Sequence, residues 1–136
     1  MASPTLVTVL GAGSWGSALA IQLARNGYHT TLWGRDVAQM SAMRSEQQNS
    51  RYLPGISFPP HLHPTSDLVA ALQCPTTLLI VVPSGAFRHT LEQIQPLVAA
   101  GCDIAWATKG LEQGSGKLLH QVFAEVMGEE RGCAVV

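Results

Sequence analysis

Residues 6–36 constrain the fold more than any other stretch of this chain. An apolar run, Leu6-Val7-Thr8-Val9-Leu10, breaks into Gly11-Ala12-Gly13-Ser14-Trp15-Gly16 and leads into the Ala-rich Ser17-Ala18-Leu19-Ala20-Ile21-Gln22-Leu23-Ala24. Asn26-Gly27 stops that pattern, and a second short apolar run, Thr30-Thr31-Leu32-Trp33, follows. By period and punctuation this is strand, glycine turn, helix, helix stop, strand: one βαβ unit. The spacing G-x-G-x-x-G is common by chance, but here it stands directly after a strand and directly before a helix. Gly11 can take the tight turn out of the strand, Gly13 has no Cβ to block a pyrophosphate, and Gly16 lets the helix lie close on the sheet. The free N–H groups of the helix's first turn then face the phosphates, and the helix dipole favours their charge. A dinucleotide is the expected guest.

An acidic residue that would hold a ribose 2′-hydroxyl is expected about 20 residues further on, at the end of the second strand. Gly34 stands there, followed by Arg35 and Asp36. A glycine leaves room for a 2′-phosphate and the adjacent guanidinium supplies bidentate donors to it, which favours NADP(H) over NAD(H). Asp36 would accept from the ribose if the strand ended two residues later. It also precedes Val37-Ala38-Gln39-Met40, where it makes a good N-cap.

The 136 residues suffice for one domain with a proper core and not for two ordinary ones. With 46% hydrophobic and 12% charged residues, the composition is that of a buried sheet rather than a disordered chain. A net charge of −1 gives no basic field, which argues against nucleic acid or an anionic membrane as partner. Cys74, Cys102 and Cys133 form no C-x-x-C and read as reduced thiols packed as small hydrophobes, neither a disulfide frame nor a zinc site. The N-terminus lacks a charged n-region and the longest later apolar run, Leu78 to Val82, is far too short to span a bilayer. The expected location is the cytoplasm.

After a lead-in at Met1 to Thr5, the first helix is expected to bury Leu19, Leu23 and the alanines between, with Gly27 as its left-handed stop. A second helix, Asp36 to about Gln47, has Val37, Met40 and Met43 as its inner side. Prolines at 54, 59, 60 and 64 turn Asn49 to Pro64 into a long ordered loop with at most one short edge strand. His61 and His63 lie in it without a third ligand and read as surface imidazoles, so no metal site is predicted. Ser66 or Asp67 caps a short helix, Leu68 to Gln73, and Thr77 to Val82 follows as a strand covered on both faces. Ser84 caps a helix that turns Phe87, Leu91 and Ile94 inward. Asp103 to Ala107 is the next strand, Ser115 opens a helix with Leu119, Val122, Phe123 and Val126 on one stripe, and Cys133 to Val136 begins another strand. A strand with nothing after it suggests a truncated piece of a longer chain. The expected class is α/β: a Rossmann-type, doubly wound, mainly parallel sheet with helices on both faces.

Five segments now point to one family: G-A-G-S-W-G-S-A-L-A at 11–20, L-W-G-R-D at 32–36, Y-L-P-G at 52–55, V-V-P-S at 81–84 and W-A-T-K-G-L-E at 106–112. In this order they resemble the bacterial NAD(P)-dependent glycerol-3-phosphate dehydrogenases along essentially the whole chain. The resemblance implies reduction of dihydroxyacetone phosphate to sn-glycerol 3-phosphate, a phospholipid precursor, with NADPH or NADH. It implies that Ser14, Trp15 and Arg35, with Tyr52 as a weaker candidate, contact the cofactor beside Gly11, Gly13 and Gly16. Lys109 would lie where nicotinamide and substrate meet. The family continues into a helical second domain that carries its catalytic lysine base and most of the substrate-phosphate site. Residues 1–136 would therefore be the dinucleotide-binding domain alone, with no catalytic base of its own, and the full-length protein a homodimer.

Lys109 also has an independent case. It follows a buried parallel strand at the carboxyl edge, where ligands bind in open α/β sheets, and a lone ammonium there can hold a substrate oxygen or phosphate. Two other readings remain open at this point. One is a related dehydrogenase of the 3-hydroxyacyl-CoA or ketopantoate reductase type, against which A-T-K-G-L argues. The other is a nucleotide-sensing module that turns nothing over.

Overall fold

The computed structural model describes residues 5–136, so the lead-in expected at Met1 to Thr5 lies, but for Thr5, outside the described residues. In chain order the elements are β1 (Leu6–Leu10), α1 (Ser14–Arg25), β2 (His29–Trp33), α2 (Val37–Glu46), β3 (Gln48–Asn49), β4 (Leu53–Ser57) and β5 (Leu62–Thr65). They continue with α3 (Leu68–Ala71), β6 (Thr77–Ile80), α4 (Ser84–Ile94), β7 (Asp103–Trp106), α5 (Leu119–Met127) and β8 (Ala134–Val135). Six strands form one sheet in the order β5-β2-β1-β6-β7-β8, and every neighbouring pair is parallel. Counting only these strands the order is 3-2-1-4-5-6, the doubly wound arrangement with its switch point between β1 and β6.

The parallel strands alternate their side chains between two apolar layers, as a sheet covered on both faces requires. Leu10, Leu78, Ile80 and Trp106 pack with Phe87, Leu91 and Ile94 of α4 and Leu119, Val122 and Phe123 of α5. Val7, Val9, Leu32 and Leu79 pack on the other face with Ala20, Ile21 and Ala24 of α1 and Met40 and Met43 of α2. The Trp106 ring lies 5.4 Å from that of Phe87, edge-on, and 5.2 Å from that of Phe123.

Several local expectations are corrected. The buried stripe of α1 is Gly16, Ser17, Ala20, Ile21 and Ala24, whereas Leu19 and Leu23 are only partly covered, because small side chains bring this helix closer to the sheet than leucines would allow. Val37, the first residue of α2, is 68% exposed, while Met40 and Met43 are buried. The proline-rich stretch holds three short strands rather than one. Antiparallel β3 and β4 form a separate pair, and β5 adds to β2 as the sheet's edge, where Pro64 is tolerated. Ser84 is the first residue of α4 and caps nothing; Pro83 precedes it. Ser115 does not open a helix either. Gly114 and Gly116 both have positive φ, Leu111 bridges Leu118, and α5 starts only at Leu119. Cys102 is buried as expected, but Cys74 and Cys133 are exposed.

The helix stop is as read. Gly27, at φ 92°, lets its own N–H reach Ala24 O at 3.1 Å and the Tyr28 N–H reach Leu23 O at 3.2 Å, closing the end of α1. Asp67 rather than Ser66 caps α3, accepting from the Ala70 N–H at 3.1 Å.

A cluster of charges ties α4, α5 and the loop between β7 and α5. Arg88 of α4 donates to both oxygens of Glu112, at 2.7 and 3.1 Å, and to Glu125 of α5 at 2.7 Å. Ser115 donates to Glu112 at 2.6 Å, and Lys117 pairs with Glu125. The Arg88 guanidinium, helped by Ser115, holds the Glu112 carboxyl down at about 2, and Lys117 and Arg88 lower Glu125 as well. Carboxylates lowered by folding stabilise the fold fully above their ordinary value of 4.5, and that contribution drains away as pH falls towards 2. Melting midpoints should therefore drop between pH 4.5 and 2, and Glu112→Gln should flatten this drop while lowering the midpoint at neutral pH; an unchanged acid slope would show that the cluster is not coupled to folding.

Candidate functional site

At the switch point the chain leaves β1 through α1 on one face and leaves β6 through α4 on the other, so a crevice opens between the two turns at the carboxyl edge. Leu10, Ile80 and Trp106 are in register across three strands, which aligns the loops that follow them. Gly11 extends the ladder, its N–H donating to Trp33 O at 2.9 Å. Its φ is 122°, and an added Cβ would sit 2.5 Å from Val81 O. No other residue type fits there.

The other two glycines differ in kind. A Cβ on Gly16 would collide with the Gly11 carbonyl oxygen, so the first turn of α1 rests directly on the backbone of the loop it leaves. A Cβ on Gly13 would meet nothing within 4 Å. Gly13 is the N-cap of α1, contributes no side-chain cap, and leaves the N–H groups of the first turn without helical acceptors. Ser14 and Trp15 occupy that turn, both exposed, Trp15 by 53%. This combination of open space, free N–H donors and a helix N-terminus suits an anionic pyrophosphate.

At the end of β2, Gly34 is buried, and a Cβ there would stand 2.6 Å from Met40 Sδ and 2.9 Å from Ala12 Cβ. The missing side chain at 34 thus makes room for α2 and the glycine loop, which corrects the expectation that it makes room for a phosphate. Arg35 is exposed beside it. Asp36 is the N-cap of α2, accepting from the Gln39 N–H at 3.1 Å, and pairs with Arg51 at 3.4 Å. The Gln39 N–H, with Arg51, lowers its pKa. Arg51 lies 5.7 Å from the centre of the half-exposed Tyr52 ring.

Two amides that sequence reasoning missed join these pieces. Asn49, fully buried, donates from Nδ2 to Ala12 O at 3.0 Å and to Ser17 Oγ at 2.8 Å, and its Oδ1 accepts from the Tyr52 N–H at 3.1 Å. Gln39 Nε2 donates to the same Ala12 O at 3.1 Å. Asn49 lies in a polar stretch, Gln47-Gln48-Asn49-Ser50-Arg51, and nothing in the sequence marks it as buried.

Lys109 follows β7 at the same edge. Thr108, buried, donates from Oγ1 to Val82 O at 2.7 Å, which ties this loop to the one after β6. The Lys109 side chain is exposed and its Nζ donates to Val136 O at 3.1 Å, beside a cleft of about 260 Å³ that Thr108, Gly110 and His120 also line. Gly11, Gly13, Ser14, Trp15, Gly16, Arg35, Tyr52 and Lys109 therefore all lie along one edge, with Lys109 separated from the glycine turn by the end of β6. His61 and His63 are exposed on the opposite side of β2, where His61 packs against His29 with ring centres 4.6 Å apart. Among the described residues no group of three His, Cys, Asp or Glu converges on one point.

Residues 6–136 match the family model for the NAD-dependent glycerol-3-phosphate dehydrogenase N-terminus. The chain belongs to this family. It is 54% identical over 130 residues to the glycerol-3-phosphate dehydrogenase [NAD(P)+] of Thioalkalivibrio sulfidiphilus, covering 96% of this chain and 39% of that protein. The corresponding protein of Stenotrophomonas maltophilia is 52% identical over 130 residues, again 96% of this chain and 38% of the relative. The crystal structure of glycerol-3-phosphate dehydrogenase from Coxiella burnetii superposes with a TM-score of 0.88 at 45% identity, over 93% of this chain and 38% of that one. The chain thus spans about two fifths of the length of the relatives it matches. Membership of this family displaces the 3-hydroxyacyl-CoA and ketopantoate reductase readings. No helix among the described residues is long and apolar enough to cross a membrane.

The glycine geometry separates two variants. Gly16→Ala forces the loop and α1 apart and should cost about 1–3 kcal/mol, the range for overpacking. Gly13→Ala should melt within about 0.5 kcal/mol of the parent, as substitutions in open positions do. Urea unfolding of both measures the contrast, and equal losses would refute the distinction.

Proposed function

We propose that this chain is the cofactor-binding portion of an enzyme that reduces dihydroxyacetone phosphate to sn-glycerol 3-phosphate with NADPH or NADH. The observation that carries the reading is the open space at Gly13, set at the N-terminus of α1 on the switch-point edge, in a chain whose family is the glycerol-3-phosphate dehydrogenases. The residues fit the cofactor. The N–H groups of Ser14, Trp15 and Gly16 bind the pyrophosphate, Arg35 pairs with the 2′-phosphate, and Trp15 and Tyr52 offer exposed rings beside the path between them. Asp36 caps its own helix and pairs with Arg51, so its carboxylate already has a structural role, which supports the preference for NADPH.

The nicotinamide, when bound, supplies the hydride. The chain's own residues bind and orient. Lys109, three residues beyond β7 at the carboxyl edge, holds a substrate oxygen and favours the negative charge that develops there, whereas Lys117 further along that loop is paired with Glu125. Thr108, anchored to Val82, fixes the backbone from which that ammonium projects. The substrate-phosphate clamp and the proton donor belong to a helical domain that follows residues 1–136 in the full-length protein, by the family resemblance. By the same reading that protein is a cytoplasmic homodimer making a phospholipid precursor.

Changing Arg35 to Ala should weaken NADPH binding by about 1–3 kcal/mol, the range for charge-assisted hydrogen bonds, and leave NADH nearly untouched. Titration with both cofactors checks it, and equal losses would remove Arg35 from the 2′-phosphate. The 136-residue chain should also bind NADPH saturably without oxidising it when dihydroxyacetone phosphate is added. Steady turnover that survives Lys109→Ala would show that both the site and the residue are wrong.

A further inference from the structure

We infer that Asn49 and Gln39 are positioning residues for the cofactor loop: together they fix the plane of the Ala12–Gly13 peptide so that its N–H, and not its carbonyl, faces the phosphates. The inference rests on the cofactor-site reading above and deepens it.

The Ala12 carbonyl oxygen accepts two side-chain amide hydrogen bonds, from Asn49 Nδ2 at 3.0 Å and Gln39 Nε2 at 3.1 Å. Both donors come from the layer of α2 and β3, far along the chain from the glycine turn. No peptide bond among the described residues is cis, and in a trans peptide the C=O and the following N–H point in opposite directions. Anchoring Ala12 O inward therefore aims the Gly13 N–H outward, at a residue whose Cβ position is also open.

The anchoring matters because the peptide is otherwise poorly determined. Glycine populates backbone conformations of both signs about equally, so the peptide preceding Gly13 has little intrinsic reason to keep one orientation. Turned over, it would set a carbonyl dipole against two phosphates and withdraw a donor at once. Two amides on one oxygen use both of its lone pairs and leave that orientation no alternative partner.

Asn49 carries the larger share. It is wholly buried, so its amide must be satisfied, and its three hydrogen bonds reach the loop, the Ser17 hydroxyl in the first turns of α1 and the Tyr52 N–H. The same side chain thus sets the loop, the helix that follows it and the segment bearing Tyr52 in one mutual register. Gln39 is partly exposed and acts on the carbonyl alone.

The test uses Gln39→Met, which keeps the length and removes the donor, and Asn49→Asp, which keeps the acceptor for Tyr52 and removes the donor. NADPH and NADH are titrated against the parent chain and both variants, with melting midpoints and the Gly13 amide resonance recorded without ligand. Gln39→Met should leave the midpoint unchanged, shift or broaden the Gly13 resonance, and weaken both cofactors by the same factor, about fivefold or more for a lost hydrogen bond. Asn49→Asp should weaken both further. Unchanged affinities, or a Gly13 resonance that stays in place while affinity falls with the melting midpoint, would overturn the positioning role. Failure of the parent chain itself to bind either cofactor would overturn the cofactor-site reading and the clamp with it.

Discussion

The contact on which the rest of the structure depends is that between Gly16 and the Gly11 carbonyl. It presses the first turn of α1 onto the end of β1 more tightly than any side chain would permit. Everything around it is scaled to that distance. The helix face below is Ser17, Ala20, Ile21 and Ala24, small enough to follow the helix down onto the sheet, while the leucines are pushed to the flanks. The loop between has no room for a Cβ at Gly11 and an excess of room at Gly13, and this asymmetry turns a close-packed corner into a recess.

The buried polar side chains in that corner, Ser17 and Asn49, are tied to each other. Asn49 is completely buried, and leaving its amide unpaired would cost on the order of 1–3 kcal/mol. It spends its donors on the loop and the helix rather than on its own strand. Across the crevice Thr108 does a similar service for the loop after β7, donating to Val82 O. The carboxyl edge of the sheet is therefore backed on both sides by side chains hydrogen-bonded within the chain.

The architecture was legible because parallel strands under two layers of helix leave strong marks: unbroken apolar runs, helical periods of three and four, and glycines where the chain turns. The family was legible because its marks lie on those same turns. What escaped was tertiary. Ser115 carries the chemistry of a helix cap, but the neighbouring positive-φ glycines and the pull of Glu112 put its hydroxyl elsewhere. Val37 has the spacing of a core residue but is the first residue of α2 and is exposed. Gly34 suggested a vacancy for a phosphate, and the vacancy is filled by Met40 and Ala12. Asn49 could not be found, since an asparagine in a polar stretch after a helix reads as a turn until the loop it grips is in place.

The strand order has a consequence for when this corner can exist. β1 is a central strand whose second neighbour, β6, begins at Thr77, and Gly11 is shaped against Val81. The β1 strand is thus completed only by a segment made some seventy residues after it, a pairing of long loop and slow closure. Until then β1, α1 and β2 can form a parallel βαβ unit, but with one edge open and the glycine loop unset. On a ribosome the recess at Gly13 can therefore form only after residues 77–81 have followed it out.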